Sequence, residues 1–154
     1  MKPSAWARHL AFIGFGCLLA AVPERAGLAD ADAGVDRYTA QDGEVHDNRT
    51  KLTWQQMLPR EPLTWADARD YCNSLDLNGA GWRLPSVGEL QTIVDESRSN
   101  PSIDPKAFPG TPAEYFWTSS ILPRFASYAW TVYFGYGLST FFDVNQTRWV
   151  RCVR

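Results

Sequence analysis

The sequence predicts a single α+β domain, and the order of its local patterns is the main reason. Short strand patterns come first, two capped amphipathic helices follow, and the last forty residues or so alternate like an antiparallel sheet. A length of 154 residues suits about one domain, and 45% hydrophobic residues are typical of a globular chain. The formal charge of −2 lacks the basic excess of a general nucleic-acid binder, so no nucleic-acid partner is expected.

The N-terminus predicts a cleaved signal peptide. Basic Lys2 and Arg8 precede the uncharged run 10–22, which is shorter than the roughly 20 residues that span a bilayer. Small residues before Asp30 favour cleavage after Ala29, with Ala31 as the near alternative. We therefore expect a secreted, periplasmic or cell-surface protein without stable membrane insertion. The predicted organisation is a signal peptide at 1–29, a flexible segment at 30–36 and a domain at 37–154.

Signal removal leaves two cysteines, Cys72 and Cys152, because Cys17 lies within the signal. An even pair in an exported protein predicts one disulfide, and the alternative is two buried, unpaired side chains.

The first elements are a hairpin and a helix. Residues 45–47 and 52–54 are predicted strands around a turn at 48–50. Thr64 and Asp67 have the spacing of a helix cap, and an apolar stripe at helical spacing follows before the glycine-containing stop at 78–81. The stripe consists of Trp65, Ala68, Cys72 and Leu75.

A second helix is predicted from Ser86, which with Glu89 forms a capping box. Its expected inner face is Val87, Leu90, Ile93 and Val94. The helix is expected to end before Pro101, and the proline-rich stretch 100–114 is expected to be an ordered loop.

The C-terminal part predicts strands at 115–120, 138–144 and 149–154, with a turn at 135–137. Trp130, Val132 and Phe134 alternate with Thr131 and Tyr133, so one set is expected to be core and the other to face outward. The rings proposed for ligand contact are Tyr128, Tyr133 and Tyr136. The alternative is that these rings form only core and cross-strand pairs.

Three arginines near the C-terminus form a local basic strip. They are expected to be edge-strand charges that point to solvent, and the alternative is contact with a sulfated glycan. These residues are Arg148, Arg151 and Arg154.

Residues suited to catalysis are few. His46 is the only histidine after the signal, and no nucleophile stands beside it. A loose acidic group would suit an enzyme if its members converged on a polar partner, and otherwise forms a solvated face. Calcium is possible but no EF-hand motif supports it, so no cofactor is expected. The acidic group is Glu89, Asp95, Glu96 and Asp104.

Four segments together resemble the Lcl C-terminal domain family, a bacterial family of unknown function. The resemblance covers about 37–154, including the motif formed by Gly81, Trp82, Arg83, Leu84, Pro85 and Glu89. The other three segments are 42–54, 115–120 and 149–154.

The resemblance implies a C-type-lectin-like fold, a bridge from a helix to the terminal strand, and close chain ends. Some relatives end collagen-like adhesins associated with glycosaminoglycans, but this chain has no collagen repeat and no EPN, QPD or WND motif of sugar-binding lectins. The leading hypothesis is an exported, non-catalytic, adhesion-type module for an extracellular or cell-surface glycan or protein. The alternatives are an enzyme of unknown reaction on the same fold and a purely structural domain.

Overall fold

The computed structural model describes residues 36–154, and the predicted signal peptide and residues 30–35 lie outside that part. The coarse prediction of an α+β fold is confirmed, with two helices and two three-stranded antiparallel sheets in the described part. No described helix has the length and apolar character needed to cross a membrane. The elements are β1 (Tyr38–Gln41), β2 (Glu44–Asp47), β3 (Thr53–Gln55), α1 (Trp65–Ser74), α2 (Val87–Gln91), β4 (Tyr115–Leu122), β5 (Phe125–Tyr133) and β6 (Leu138–Asp143).

The first sheet has the order β1-β2-β3 and contains the predicted hairpin. Val45 of β2 lies opposite Trp54 of β3, and both side chains are fully buried. Strand β1 was not predicted, because three of its four residues are exposed and no apolar alternation marks it.

Both helices begin at the predicted caps. Thr64 Oγ1 accepts a hydrogen bond from the Asp67 backbone, and Ser86 with Glu89 completes a capping box. Helix α2 is only five residues long, so the buried side chain of Ile93 comes from the turn after it rather than from the helix. The caps were predictable because they involve residues three positions apart.

Each face of the second sheet, β4-β5-β6, is covered over part of its area and contributes to a buried cluster. On the α2 side Val132 packs in a buried cluster with Leu90, and on the α1 side Ala129 packs with Cys72. The expectation that only one alternating set would be core is therefore wrong, since Val132 and its neighbour Thr131 are both fully buried. A helix packs near each face, and this arrangement follows from tertiary structure rather than from the strand pattern.

The predicted final strand is instead an extended terminal segment, 148–154, that joins the two sheets through isolated bridges. Trp149 pairs in parallel with Phe116 of β4, whereas Val153 pairs with Trp54 of β3. The Cys72–Cys152 disulfide is formed and ties this segment to α1. Both cysteines are fully buried, so the bridge lies inside the core.

The expectation that the terminal arginines point to solvent is wrong for Arg151 and Arg154. Arg151 is fully buried, and its guanidinium donates hydrogen bonds to the carbonyls of Gln55 and Gln56, each at 2.6 Å, and to Thr111 Oγ1 at 2.7 Å. Arg154 pairs with Glu44 at 2.7 Å. The terminal segment runs between other elements instead of along an edge, so its arginines meet carbonyls and carboxylates.

Candidate functional site

The hairpin of β5 and β6 carries an exposed aromatic surface on its α2 side, which we call the outer aromatic face: Tyr128, Trp130 and Phe141. Phe141 lies opposite Trp130 in the ladder, and their ring centroids are 5.8 Å apart in an edge-to-face arrangement. Tyr128 contacts the same phenyl ring at 5.9 Å. Phe141 is 44% exposed and the other two are partly exposed, so the rings support one another and remain accessible.

A second group of rings lies at the turn between β5 and β6. Tyr133 stacks on Tyr115 with centroids 4.6 Å apart and contacts Tyr136 edge-on at 5.8 Å. Gly135 makes this possible, because a Cβ there would stand 2.2 Å from the Tyr133 ring. Tyr136 is 63% exposed and Leu138 is 65% exposed, so the turn carries apolar surface of its own.

The three tyrosines proposed from the sequence therefore do not form one surface. Tyr133 and Tyr136 are in contact, whereas Tyr128 lies five residues earlier on a regular strand and faces the opposite way. Trp130 and Phe141 were not among the proposed contacts. The pairing of β5 with β6 makes them neighbours of Tyr128, and no local pattern reveals that register.

A half-open cleft of about 1240 Å³ lies elsewhere on the domain, between the start of β1, the turn after β2, the segment after α2 and the loop around Lys106. We call it the carboxylate cleft, because Asp95, Glu96 and Asp104 line it. Arg37 forms part of its wall and pairs with buried Asp47 at 3.0 Å. Burial alone would raise the pKa of Asp47, but hydrogen bonds from Arg37 and from the Arg49 backbone hold it below its ordinary value.

The cleft carboxylates take part in local hydrogen bonds. Asp95 accepts from the hydroxyl of Ser97 at 2.6 Å and from Arg98 at 2.7 Å, and the Ser97 bond is the main reason that the pKa of Asp95 is lowered. Asp104 accepts from the backbone amide of Lys106 at 2.8 Å. A general acid needs a raised pKa, so the shift at Asp95 is opposite to that requirement.

Glu89 lies outside the cleft. Its two oxygens accept from Arg83 at 2.9 and 2.6 Å, and this pairing, partly opposed by burial, lowers the pKa of Glu89 to about 2. The four acidic residues considered from the sequence thus separate into three that line the cleft and one that belongs to the capping box.

The segment from Gly81 to Pro85 holds neighbouring elements together. The Trp82 indole donates to the carbonyls of Leu77 and Gly79, and the Arg83 backbone exchanges two hydrogen bonds of 2.9 Å with Val153. Leu84 is buried, and the Pro85 carbonyl accepts from Ser119 of β4. These contacts assign the motif an architectural role.

Two further observations concern chemistry. Among residues 36–154, no group of three or more His, Cys, Asp or Glu side chains has an arrangement that could hold a metal ion. His46 Nδ1 of β2 lies 3.2 Å from Thr53 Oγ1 of β3, and the two residues line a smaller cavity of about 490 Å³.

Comparison with protein families gives one match. The model of the Lcl C-terminal domain matches residues 43–154, from the end of the β1–β2 turn to the last residue. No curated protein matches the chain.

Proposed function

Because the chain belongs to the Lcl C-terminal domain family, as its motifs predicted, we propose that it is an exported, non-catalytic binding domain for a glycan. The glycan is extracellular or lies on a cell surface. The proposed fold type is C-type-lectin-like. The two helices with two antiparallel sheets support this proposal, as does the return of Arg154 to β3, where it exchanges backbone hydrogen bonds with Thr53.

The outer aromatic face is the observation that supports glycan binding. Its rings lie on a hydrogen-bonded sheet and make edge-to-face contacts, so binding requires little ordering of side chains. Aromatic rings offer a flat apolar surface to the C–H groups of a sugar, and Tyr128 and Trp130 add polar groups at their ends. A protein ligand suits the same surface and is the alternative partner.

Two features support export. The basic start and short apolar run predict cleavage after Ala29, and the Cys72–Cys152 disulfide is typical of an oxidising compartment. Expression of the full chain in an exporting host should give a protein that begins at Asp30, and intact mass checks this. A retained N-terminus would contradict the export proposal.

Binding is tested on a glycan array that includes sulfated oligosaccharides, using the exported protein. Trp130→Ala should remove most of the signal, because the substitution deletes the largest ring of the outer aromatic face. Tyr136→Ala is the matched control, since this exposed ring lies at the turn with Tyr133 and should leave the signal unchanged. Equal binding by wild type and Trp130→Ala, or no glycan signal above background, would refute the proposal. A protein captured in a parallel pull-down through Trp130 would favour the alternative partner.

An enzyme acting through the carboxylate cleft is the second candidate, because three of the four predicted acidic residues line it beside Lys106. Asp95 and Asp104 are held in local turns, which supports a structural role for them. Turnover of any array glycan that Glu96→Gln abolishes would reverse the order of the two proposals.

A further inference from the structure

The strand β6 is an unprotected edge. It is the last strand in the order β4-β5-β6, and no element within residues 36–154 pairs with its outer side. Its sequence, LSTFFD, contains no lysine and no proline, and Asp143 is its only charged residue. Lysine and proline commonly protect edge strands from pairing with another strand, because the unpaired N–H and C=O groups of an edge otherwise attract one.

The ladder shows which backbone groups face outward. The Val144 amide donates to the Ser127 carbonyl at 2.9 Å, which makes this a hydrogen-bonded position of the β5–β6 ladder. Hydrogen-bonded and non-hydrogen-bonded pairs alternate along an antiparallel ladder. The regular register from Tyr128 to Tyr133 therefore directs the amides and carbonyls of Ser139, Phe141 and Asp143 away from β5.

We propose that this edge pairs with the same edge of a second copy of the chain, antiparallel, about a two-fold axis at Phe141. In this register Phe141 lies opposite Phe141 of the second copy, and Ser139 lies opposite Asp143. Every outward amide then meets an outward carbonyl, and residues on one face meet residues on the same face. No like charges lie opposite each other, because the aspartate meets a serine hydroxyl.

Self-pairing is favoured because the edge is complementary to itself in both hydrogen bonding and side chains. Phe141 is 44% exposed in one copy, and the two-fold axis brings two such rings together. The result is a continuous six-stranded sheet with two outer aromatic faces side by side. A single strand pair buries less than the roughly 1,200–2,000 Å² of a standard interface, so the dimer dissociates on dilution.

Sedimentation velocity of the exported full chain over a concentration series tests the pairing. The mass should double as concentration rises. Phe141→Lys should keep the protein monomeric throughout, because it places two like charges opposite each other at the axis. Leu138→Lys is the matched control: it adds the same charge to the same strand at a 65% exposed position whose backbone bonds β5, so the dimer should remain. A dimer unaffected by Phe141→Lys, or a monomer at every concentration, overturns the proposal.

Amide hydrogen exchange gives a readout that does not depend on a variant. The amides of Thr140 and Phe142 bond β5 and should be protected at all concentrations, whereas those of Ser139 and Phe141 should become protected only as the dimer forms. Rapid exchange of the Ser139 and Phe141 amides in the dimer would overturn the proposed β6–β6 pairing. The proposal does not rest on glycan binding. Trp130→Ala should lose the array signal but keep the dimer mass in sedimentation, and the loss of dimer in Phe141→Lys is measured without any ligand.

Discussion

Removing the Cys72–Cys152 bridge should cost about 4.5 kcal/mol of unfolding free energy. The two cysteines are 80 residues apart in sequence, and the chain-entropy relation gives about that value for a loop of this length. Both side chains are fully buried between α1 and the terminal segment, so replacement by alanine adds a small packing loss of the same sign. Stability of a domain of this size is typically about 5–15 kcal/mol, so the loss is a large share.

The assay is thermal and urea unfolding of the Cys72→Ala/Cys152→Ala variant beside the oxidised protein. We expect the melting temperature to fall by more than roughly 10 °C. Asn73→Ala, at an exposed position of the same helix, controls for changes to α1 and should have little effect. Reduced wild type should resemble the double variant. A double variant that melts within about 2 °C of the oxidised protein would show that the crosslink contributes little, and two alkylatable thiols in the untreated protein would show that it is absent.

Three further predictions concern single side chains. Glu89 has a pKa lowered from 4.5 to about 2, so its pairing stabilises the fold fully above about pH 4.5, and this stability is lost as the pH falls towards 2. Glu89→Gln should therefore make the free energy of urea unfolding less dependent on pH over that window. An unchanged pH dependence of the unfolding free energy would contradict this. Gly135→Ala should destabilise by about 1–3 kcal/mol, because its Cβ would meet the Tyr133 ring at 2.2 Å, whereas Gly88→Ala meets no atom within 4 Å and should be neutral or stabilising; equal effects in thermal unfolding would refute the steric reasoning. Arg151→Ala should cost about 2–4 kcal/mol, since it leaves the Gln55 and Gln56 carbonyls and the Thr111 hydroxyl without their donor and removes a large buried side chain. A loss below about 1 kcal/mol in urea unfolding would show that water replaces the guanidinium.

The local elements were predictable because the interactions that define them lie close together in the chain. The caps at Thr64 and Ser86 each join residues three apart, and both form as predicted. The β2–β3 hairpin closes over six residues and was predicted for the same reason. The end of α2 was less predictable, because Ile93 keeps the apolar spacing of the helix while the backbone has already turned.

The candidate site was less predictable, because exposure depends on distant contacts. The sequence identified the aromatic β5–β6 hairpin as the candidate region but grouped Tyr128 with Tyr133. A regular strand directs these two side chains to opposite faces of the sheet. Trp130 and Phe141 became candidates only when the β5–β6 register placed their rings 5.8 Å apart. Likewise the carboxylate cleft assembles Arg37 of the N-terminal region with Asp95 and Asp104 from separate segments.

By itself the sequence determined the family, the α+β class, the two helix starts and the pair of cysteines that bond. Tertiary structure decided the rest: that both faces of the second sheet contribute to the core, that the terminal segment joins the sheets, and that Arg151 lies inside. The reason is the range of the interactions. A capping hydrogen bond joins residues three positions apart, whereas the buried guanidinium of Arg151 donates to a carbonyl 96 residues away. A local pattern contains no information about such a distant partner.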